Sequence, residues 1–224
     1  NEQVCRAEKR DDISVLKAGI IYGANASGKS NIIKAVAIIQ KIALGSVPKK
    51  DIEPFKLAEQ NNKPSKVEIE FKAGPQYFAY GAEFNKSIAE EWLYEINSRT
   101  DKEIFSRKTS ISGNEFTFGT IEGNDEDRQL AKFIGQSTPI SDSFLSEYIK
   151  RNGKGLNCIN IAYNWMKENL KIIFPDSRYS GISMRIEQDK EFAVATKSLL
   201  EYFNTGIIDI RRTKTSKESL DLPK

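Results

Sequence analysis

The spacing of apolar positions changes period twice along the chain. Residues 13–22 (ISVLKAGIIY) are β-branched and apolar, which predicts a buried strand. Residues 23–30 are a loop of Gly, Ala, Asn, Ser and Lys. Residues 30–44 (SNIIKAVAIIQKIAL) are apolar nearly all round and predict a buried helix, stopped by Gly45 and Pro48. Between 52 and 118 the period drops to two. VEIEF (67–71), QYFAYGAEF (76–84), IAEEWLYEI (88–96), EIFSRKT (103–109) and EFTF (115–118) are short, aromatic-rich and alternating. Turn residues separate them at Ala73-Gly74-Pro75, Asn85-Lys86, Thr100-Asp101 and Ser112-Gly113-Asn114, so this stretch predicts an antiparallel meander.

From 124 onward the period returns to 3.6. Asn124 can cap a helix with Asp125, Glu126 and Asp127 in its first turn and Gly135 past its end. Ser141 can cap a second, running to Gly153 with Phe144, Leu145, Tyr148 and Ile149 on one face. Residues 158–174 predict a third, stopped by Pro175, in which Ile161 and Trp165 share a core face. A short strand-like piece follows at 181–187. Asp189 then caps a fourth helix, with Phe192, Thr196, Leu199, Leu200 and Phe203 on its face and Gly206 at its end. IIDIRR (207–212) reads as a final strand before a charged tail, and residues 1–12 as a loop or a cut end.

Composition narrows the chemistry. The 224 residues carry 34 Lys+Arg against 31 Asp+Glu, a net charge of +3 too weak to argue for nucleic acid. There is no histidine, which excludes Ser-His, Cys-His and His-metal sites from these residues. Cys5 and Cys158 make neither a metal spacing nor a disulfide framework, so a reducing, cytoplasmic setting is expected. The longest apolar run, Ile32 to Leu44, is broken by Lys34, Gln40 and Lys41 and falls short of the roughly 18 residues of a membrane span.

One motif carries chemistry. Gly23-Ala24-Asn25-Ala26-Ser27-Gly28-Lys29-Ser30 fulfils G-x-x-x-x-G-K-[ST] between the predicted strand and helix. Average residue usage yields such a match by chance in roughly one chain of this length in a hundred. Backbone N–H groups converge on a phosphate only if the chain curls tightly, so glycine sits where a Cβ would intrude. The helix beginning near Lys29 turns its free N–H groups and positive dipole end to the anion. Lys29 is expected at the β- and γ-phosphates as the catalytic cation, and Ser30 on Mg²⁺.

With Asn25 inside the loop and Asn31 just after it, GANASGKSN resembles the ABC-type ATPases of the SMC, RecF and OLD group. IIYGANASGKSNIIKAV (20–36), IEPFKL (52–57), EEWLYE (90–95) and LLEYFNTGIIDI (199–210) resemble more closely the prokaryotic AAA-labelled, ABC-like ATPases of abortive infection and anti-phage defence. The resemblance implies an α/β P-loop NTPase fold with an inserted antiparallel β-meander and a helical segment. It also implies ATP and Mg²⁺, an ATP-sandwich homodimer, and a partner effector nuclease or toxin. On this reading residues 1–51 hold the P-loop strand and helix, 52–120 the β subdomain, 121–206 the helical segment, and 207–224 a strand and tail.

The family completes its site with a Ser-Gly-rich signature loop at a helix start and a Walker B strand ending Asp-Glu. Neither is found here. Ile111–Glu115 (ISGNE) resembles the signature only in a strand–turn–strand context, and Ile207–Ile210 (IIDI) has no Glu after it. Spacing singles out none of the seven Gln as a Gln-loop. The expectation is an N-terminal part of a longer ATPase, with negligible turnover by these residues alone. The alternative is a nucleotide-dependent clamp in which ATP sets dimer geometry without hydrolysis. A GTPase is disfavoured: Asn62–Ser65 and Asn85–Ile88 lack the Asp of N-K-x-D. A kinase is disfavoured too, because it does not ordinarily place a meander straight after its P-loop helix.

The remaining features read structurally. Arg211, Arg212, Lys214 and Lys217 suggest a solvated tail first and a nucleic-acid contact second. Arg6, Lys9 and Arg10 alternate with acids as a surface loop does. Phe78, Tyr80, Trp92 and Tyr94 read as sheet packing rather than base stacking. Glu90 and Glu91 are adjacent on a strand, face opposite ways, and make a poor acid–base pair.

Overall fold

The computed structural model describes residues 4–7, 10–16, 18–48, 63–97, 99–110, 112–119, 123–177 and 181–211. The chain forms two compact units, 1–172 and 173–224.

At the centre of the first unit is the meander. β3 (Ser65–Ala73), β4 (Gln76–Phe84), β5 (Ile88–Glu95), β6 (Lys102–Ser110) and β7 (Gly113–Phe118) pair antiparallel in chain order, as the alternation predicts. Inward positions in register, such as Phe71 opposite Phe78 and Leu93 opposite Phe105, make one face of the sheet greasy. The other face carries Lys66, Glu68, Glu83, Glu90 and Lys108, tied across strands by Lys66–Glu83 and Lys108–Glu90 ion pairs. Trp92 lies on that polar face over Gly81, where an added Cβ would collide with the indole.

Helices cover the inner face. α2 (Asp125–Ser137) packs on β7, and α1 (Lys29–Leu44) on β3 and α3 (Phe144–Lys150). α4 (Asn157–Asn164) follows α3. Phe144, fully buried, meets Phe105 edge-on at 4.6 Å between ring centres and Phe116 at 4.5 Å. Burying one such ring contributes about 1.5–3 kcal/mol, so this cluster fixes the helices to the sheet.

Several helix boundaries differ from the pattern, each for a tertiary reason. α2 runs through Gly135, which is there because a Cβ would collide with the Phe116 ring rather than as a stop. The cap of α3 is Ser143, not Ser141. A bridge between Ser46 and Asp142, with Val47 N donating to Ser141 O, keeps the chain extended for two more residues. The third predicted helix is shorter than 158–174. α4 passes into a π-helical turn, Trp165–Asn169, and ends well before Pro175. Ile161 and Trp165 do pack on the core, Trp165 stacked on Phe71 at 4.2 Å.

The segment before the loop departs furthest. β1 (Val4–Ala7) and β2 (Arg10–Leu16) form an antiparallel hairpin where a loop was expected, and the strand predicted over 13–22 stops at Leu16. Ile20 and Tyr22 are 89% and 90% exposed, and no regular strand forms there. β-propensity alone does not hold a strand without a neighbour to accept its hydrogen bonds. Nor is α1 buried along its length. Ile39, Ile42 and Ala43 are fully buried, whereas Ile32 and Ile33 are exposed.

The second unit contains α5 (Ile182–Gln188) and α6 (Lys190–Tyr202). α5 replaces the predicted strand. Arg185 pairs with Asp189 one turn on and lies over the Phe192 ring at 4.2 Å, contacts that a helix provides and a strand does not. Asp189 caps α6 as expected by accepting from Phe192 N. Residues 207–211 are irregular, with Ile208 exposed, so the final strand does not form among the described residues. IEPFKL at 52–57, and Arg212, Lys214 and Lys217, lie outside the described residues.

Candidate functional site

The octapeptide closes into a cup. Ser27 N donates to Ala24 O, and Ala26 and Gly28 both take the left-handed conformation, at φ 62° and 90°. Such alternation turns successive N–H groups to one side of the chain, the arrangement that binds anions. Gly28 is needed for its φ, because only glycine enters that region without cost. At Gly23 the turn is close: a Cβ there would stand 3.1 Å from Ser27 Oγ, which would have to give by a few tenths of an ångström.

The Lys29 ammonium folds back over the cup. It donates to Gly23 O at 2.8 Å, Ala24 O at 2.6 Å and Ser27 Oγ at 3.4 Å. All three donors of the ammonium therefore sit at the mouth of the loop. α1 starts at Lys29 behind Gly28 with no side-chain cap, while Asn124, Ser143 and Asp189 cap α2, α3 and α6. The end of α1 is thus open to an anion through its first-turn N–H groups.

The structure brings Gly23, Ala24, Ser27 and Lys29 into direct contact. Asn25 and Ala26 form the exposed tip, Ser30 is exposed in the first turn of α1, and Asn31 N donates to Gly28 O at 2.9 Å. The donors fit a polyphosphate: a cationic group, a curled backbone and an uncapped helix end at one mouth. For a cation, Ser30 offers one hydroxyl. Among the described residues no group of three Asp, Glu or Cys side chains could hold a metal ion by itself.

The other candidates separate from this loop. Of the ISGNE stretch, Ile111 is outside the described residues; Ser112–Glu115 lie at the β6–β7 hairpin, where Asn114 donates its amide to the carbonyls of Gly135, Gln136 and Thr138 at the end of α2. Phe78 and Tyr80 are core residues, and Trp92 is held by a hydrogen bond to Glu68. Glu90 faces out to Lys108, while Glu91 faces in.

Glu91 anchors a buried network absent from the sequence reading. Glu91 and Arg107 are both 0% exposed and pair at 3.1 Å. The carboxylate also accepts from Tyr80 OH at 3.0 Å and from the first N–H groups of α3, Phe144 N at 2.7 Å and Leu145 N at 3.3 Å. Arg107 donates to Asp142 O and Pro139 O. Burial, and then the Glu91 charge, hold the Tyr80 hydroxyl well above the usual tyrosine range. A signal was present: Glu91 and Arg107 occupy the same inward phase as Leu93 and Phe105 on neighbouring strands. An acid and a base in core phase on adjacent strands predict a buried pair.

Gln40, near the far end of α1, was also missed. Its amide donates to Met166 O at 2.7 Å and Leu170 O at 2.8 Å. Met166 lies inside the π-helical turn and Leu170 just after it, so this side chain holds two carbonyls beyond the end of α4.

No helix among the described residues is long and apolar enough to cross a membrane. Neither the curated proteins nor the solved structures contain a match to the chain. The family model described as "AAA domain, putative AbiEii toxin, Type IV TA system" matches residues 20–201, which include the whole cup, the meander and the helices through most of α6. With most of its length covered by that model, the chain belongs to this AAA family of P-loop ATPases associated with abortive infection.

Proposed function

We propose that the chain is the nucleotide-binding part of an ABC-type ATPase that works with an effector partner, a nuclease or toxin, in anti-phage defence. One observation carries the nucleotide reading: the Lys29 ammonium lies over the carbonyls of Gly23 and Ala24 at the open end of α1. The group placed there meets any phosphate entering the cup. Lys29 exchanges its contacts with the loop for phosphate oxygens, as a point charge at the terminal phosphates. The backbone of residues 24–28 and the first turn of α1 supply further donors. Ser30 would hold Mg²⁺ through its hydroxyl, and the chemistry that ion would supply is neutralisation of phosphate charge. Catalysis on this basis is positioning and charge stabilisation, completed by a signature loop and a Walker B Glu that residues 1–224 do not contain, the loop coming from the second protomer of an ATP-sandwich homodimer. The exposed apolar side chains of Ile20, Ile21 and Tyr22 are suited to a sheet strand once neighbours cover them.

Titration of a fluorescent ATP analogue with Mg²⁺ tests the reading. Loss of one charge-assisted contact set costs about 1.5–3 kcal/mol, so Lys29→Ala should weaken binding about ten- to a hundredfold. Equal affinity of the two proteins would refute it. A phosphate-release assay separates ATPase from clamp: a protein that binds MgATP and dimerises without turnover is the clamp.

A further inference from the structure

α1 is held at one end only. The arm that carries Lys29, from Ser30 to Lys34, is exposed, whereas Ile39, Ile42 and Ala43 are fully buried. The last carbonyls of the helix are also held: Ala43 O accepts from Ser143 Oγ at 3.4 Å and Leu44 O from Ser146 Oγ at 3.2 Å. An α-helix is stiff over this length, so a shift at its free end turns the rod about its buried end.

Gln40 stands at that pivot, and its primary amide has two N–H groups. One goes to Met166 O, inside the π-helical turn, and one to Leu170 O, just after it. The turn is closed by Leu170 N donating to Trp165 O, and Trp165 is stacked on Phe71 of β3. A π turn is a sparsely populated geometry, and Met166 O lacks the α-helical bond from Leu170 N because that N–H goes to Trp165 O instead. The side chain therefore latches α1 to a π-helical turn that itself rests on the sheet.

We propose that Gln40 is a positioning residue that ties the orientation of the P-loop helix to the Trp165–Asn169 turn, so that filling the cup is felt at the β subdomain. The inference rests on the nucleotide reading of residues 23–30. Distance makes it testable. Lys29 and Gln40 are 11 positions apart in one helix, about 16 Å along the axis. The cup and Gln40 are thus about three helical turns apart, so a response of the Trp165 ring to phosphate in the cup reports on transmission along α1. Coupling of this kind is reciprocal, so the latch also biases the loop.

The protein labelled with 5-fluorotryptophan has two tryptophan sites, Trp92 and Trp165, whose ¹⁹F resonances a Trp92→Phe variant assigns. Titration with MgATP should shift the Trp165 resonance with the same midpoint as fluorescent-nucleotide binding. Gln40→Leu, which keeps the bulk and removes both donors, should still bind nucleotide but lose the shift. Gln40→Lys, which restores donors, should regain it. A merely structural role would lower stability in Gln40→Leu and leave the nucleotide-induced shift in place. An unmoved Trp165 resonance in wild type at saturating nucleotide, or a full shift in Gln40→Leu, overturns the proposal. If Gln40→Leu does not fold, Gln40→Met, which keeps the length of the side chain and removes both donors, takes its place with the same two outcomes. Absence of nucleotide binding to wild type would instead bring down the reading of the cup, and the latch with it.

Discussion

Removing the Glu91 carboxylate should unfold the first unit more readily than any surface change. In Glu91→Ala the Arg107 guanidinium keeps its place at 0% exposure and loses its only opposite charge within the described structure. Tyr80 OH and the N–H groups of Phe144 and Leu145 lose their acceptor in the same step. Breaking a buried pair from one side costs about 3–5 kcal/mol, mostly from the charge left behind. For a protein of this size that is about 6–20 °C in Tm. Both tryptophans lie in the first unit, so urea unfolding followed by their fluorescence reports on it. Glu91→Leu combined with Arg107→Met removes both charges and should recover part of the loss, leaving the cost of the uncapped α3. A loss below about 1 kcal/mol in Glu91→Ala, or single effects that simply add in the double variant, would refute the network as a coupled unit.

Gly81→Ala places a methyl group against the Trp92 indole and should cost about 1–3 kcal/mol by overpacking, read as a lower urea midpoint with an altered Trp92 emission; an unchanged midpoint would show the indole moving aside freely. Burial pushes the Cys158 thiol up from 9.0 to about 11. Its folded value thus lies above its unfolded one, so its contribution to stability is complete below pH 9 and is lost as pH rises towards 11. At pH 8 the thiolate fraction falls about a hundredfold, and alkylation of Cys158, followed by peptide mapping, should be slower than a free thiol by that factor. A rate within tenfold of free cysteine would contradict the burial.

The meander and the cup were legible because each is fixed by local chemistry. Alternation at 67–71 and 76–84 determines which face of β3 and β4 is buried whatever lies on top. The octapeptide determines its own turn through Gly23, Gly28 and the Lys29 side chain. Helix ends were less legible, because partners distant in sequence set them. Gln40 donates to Met166 O, 126 residues away, in the π-helical turn that follows α4, and the Ser46–Asp142 bridge delays α3. The apolar run Ile20–Tyr22 was misread for a related reason. Its composition suits a strand, but a strand is a property of a pair. The opposite facing of Glu90 and Glu91 was legible, but the partner of Glu91 was not, because Arg107 comes opposite it only through the β5–β6 register.

The most direct test of the nucleotide site is a crystal structure of the protein grown with Mg²⁺ and a slowly hydrolysed ATP analogue. The account predicts the terminal phosphates inside the cup of residues 23–30, the Lys29 ammonium moved from the carbonyls of Gly23 and Ala24 onto phosphate oxygens, and the Ser30 hydroxyl on the metal. A nucleotide bound elsewhere, with Lys29 still resting on its own loop at saturating ligand, would contradict it.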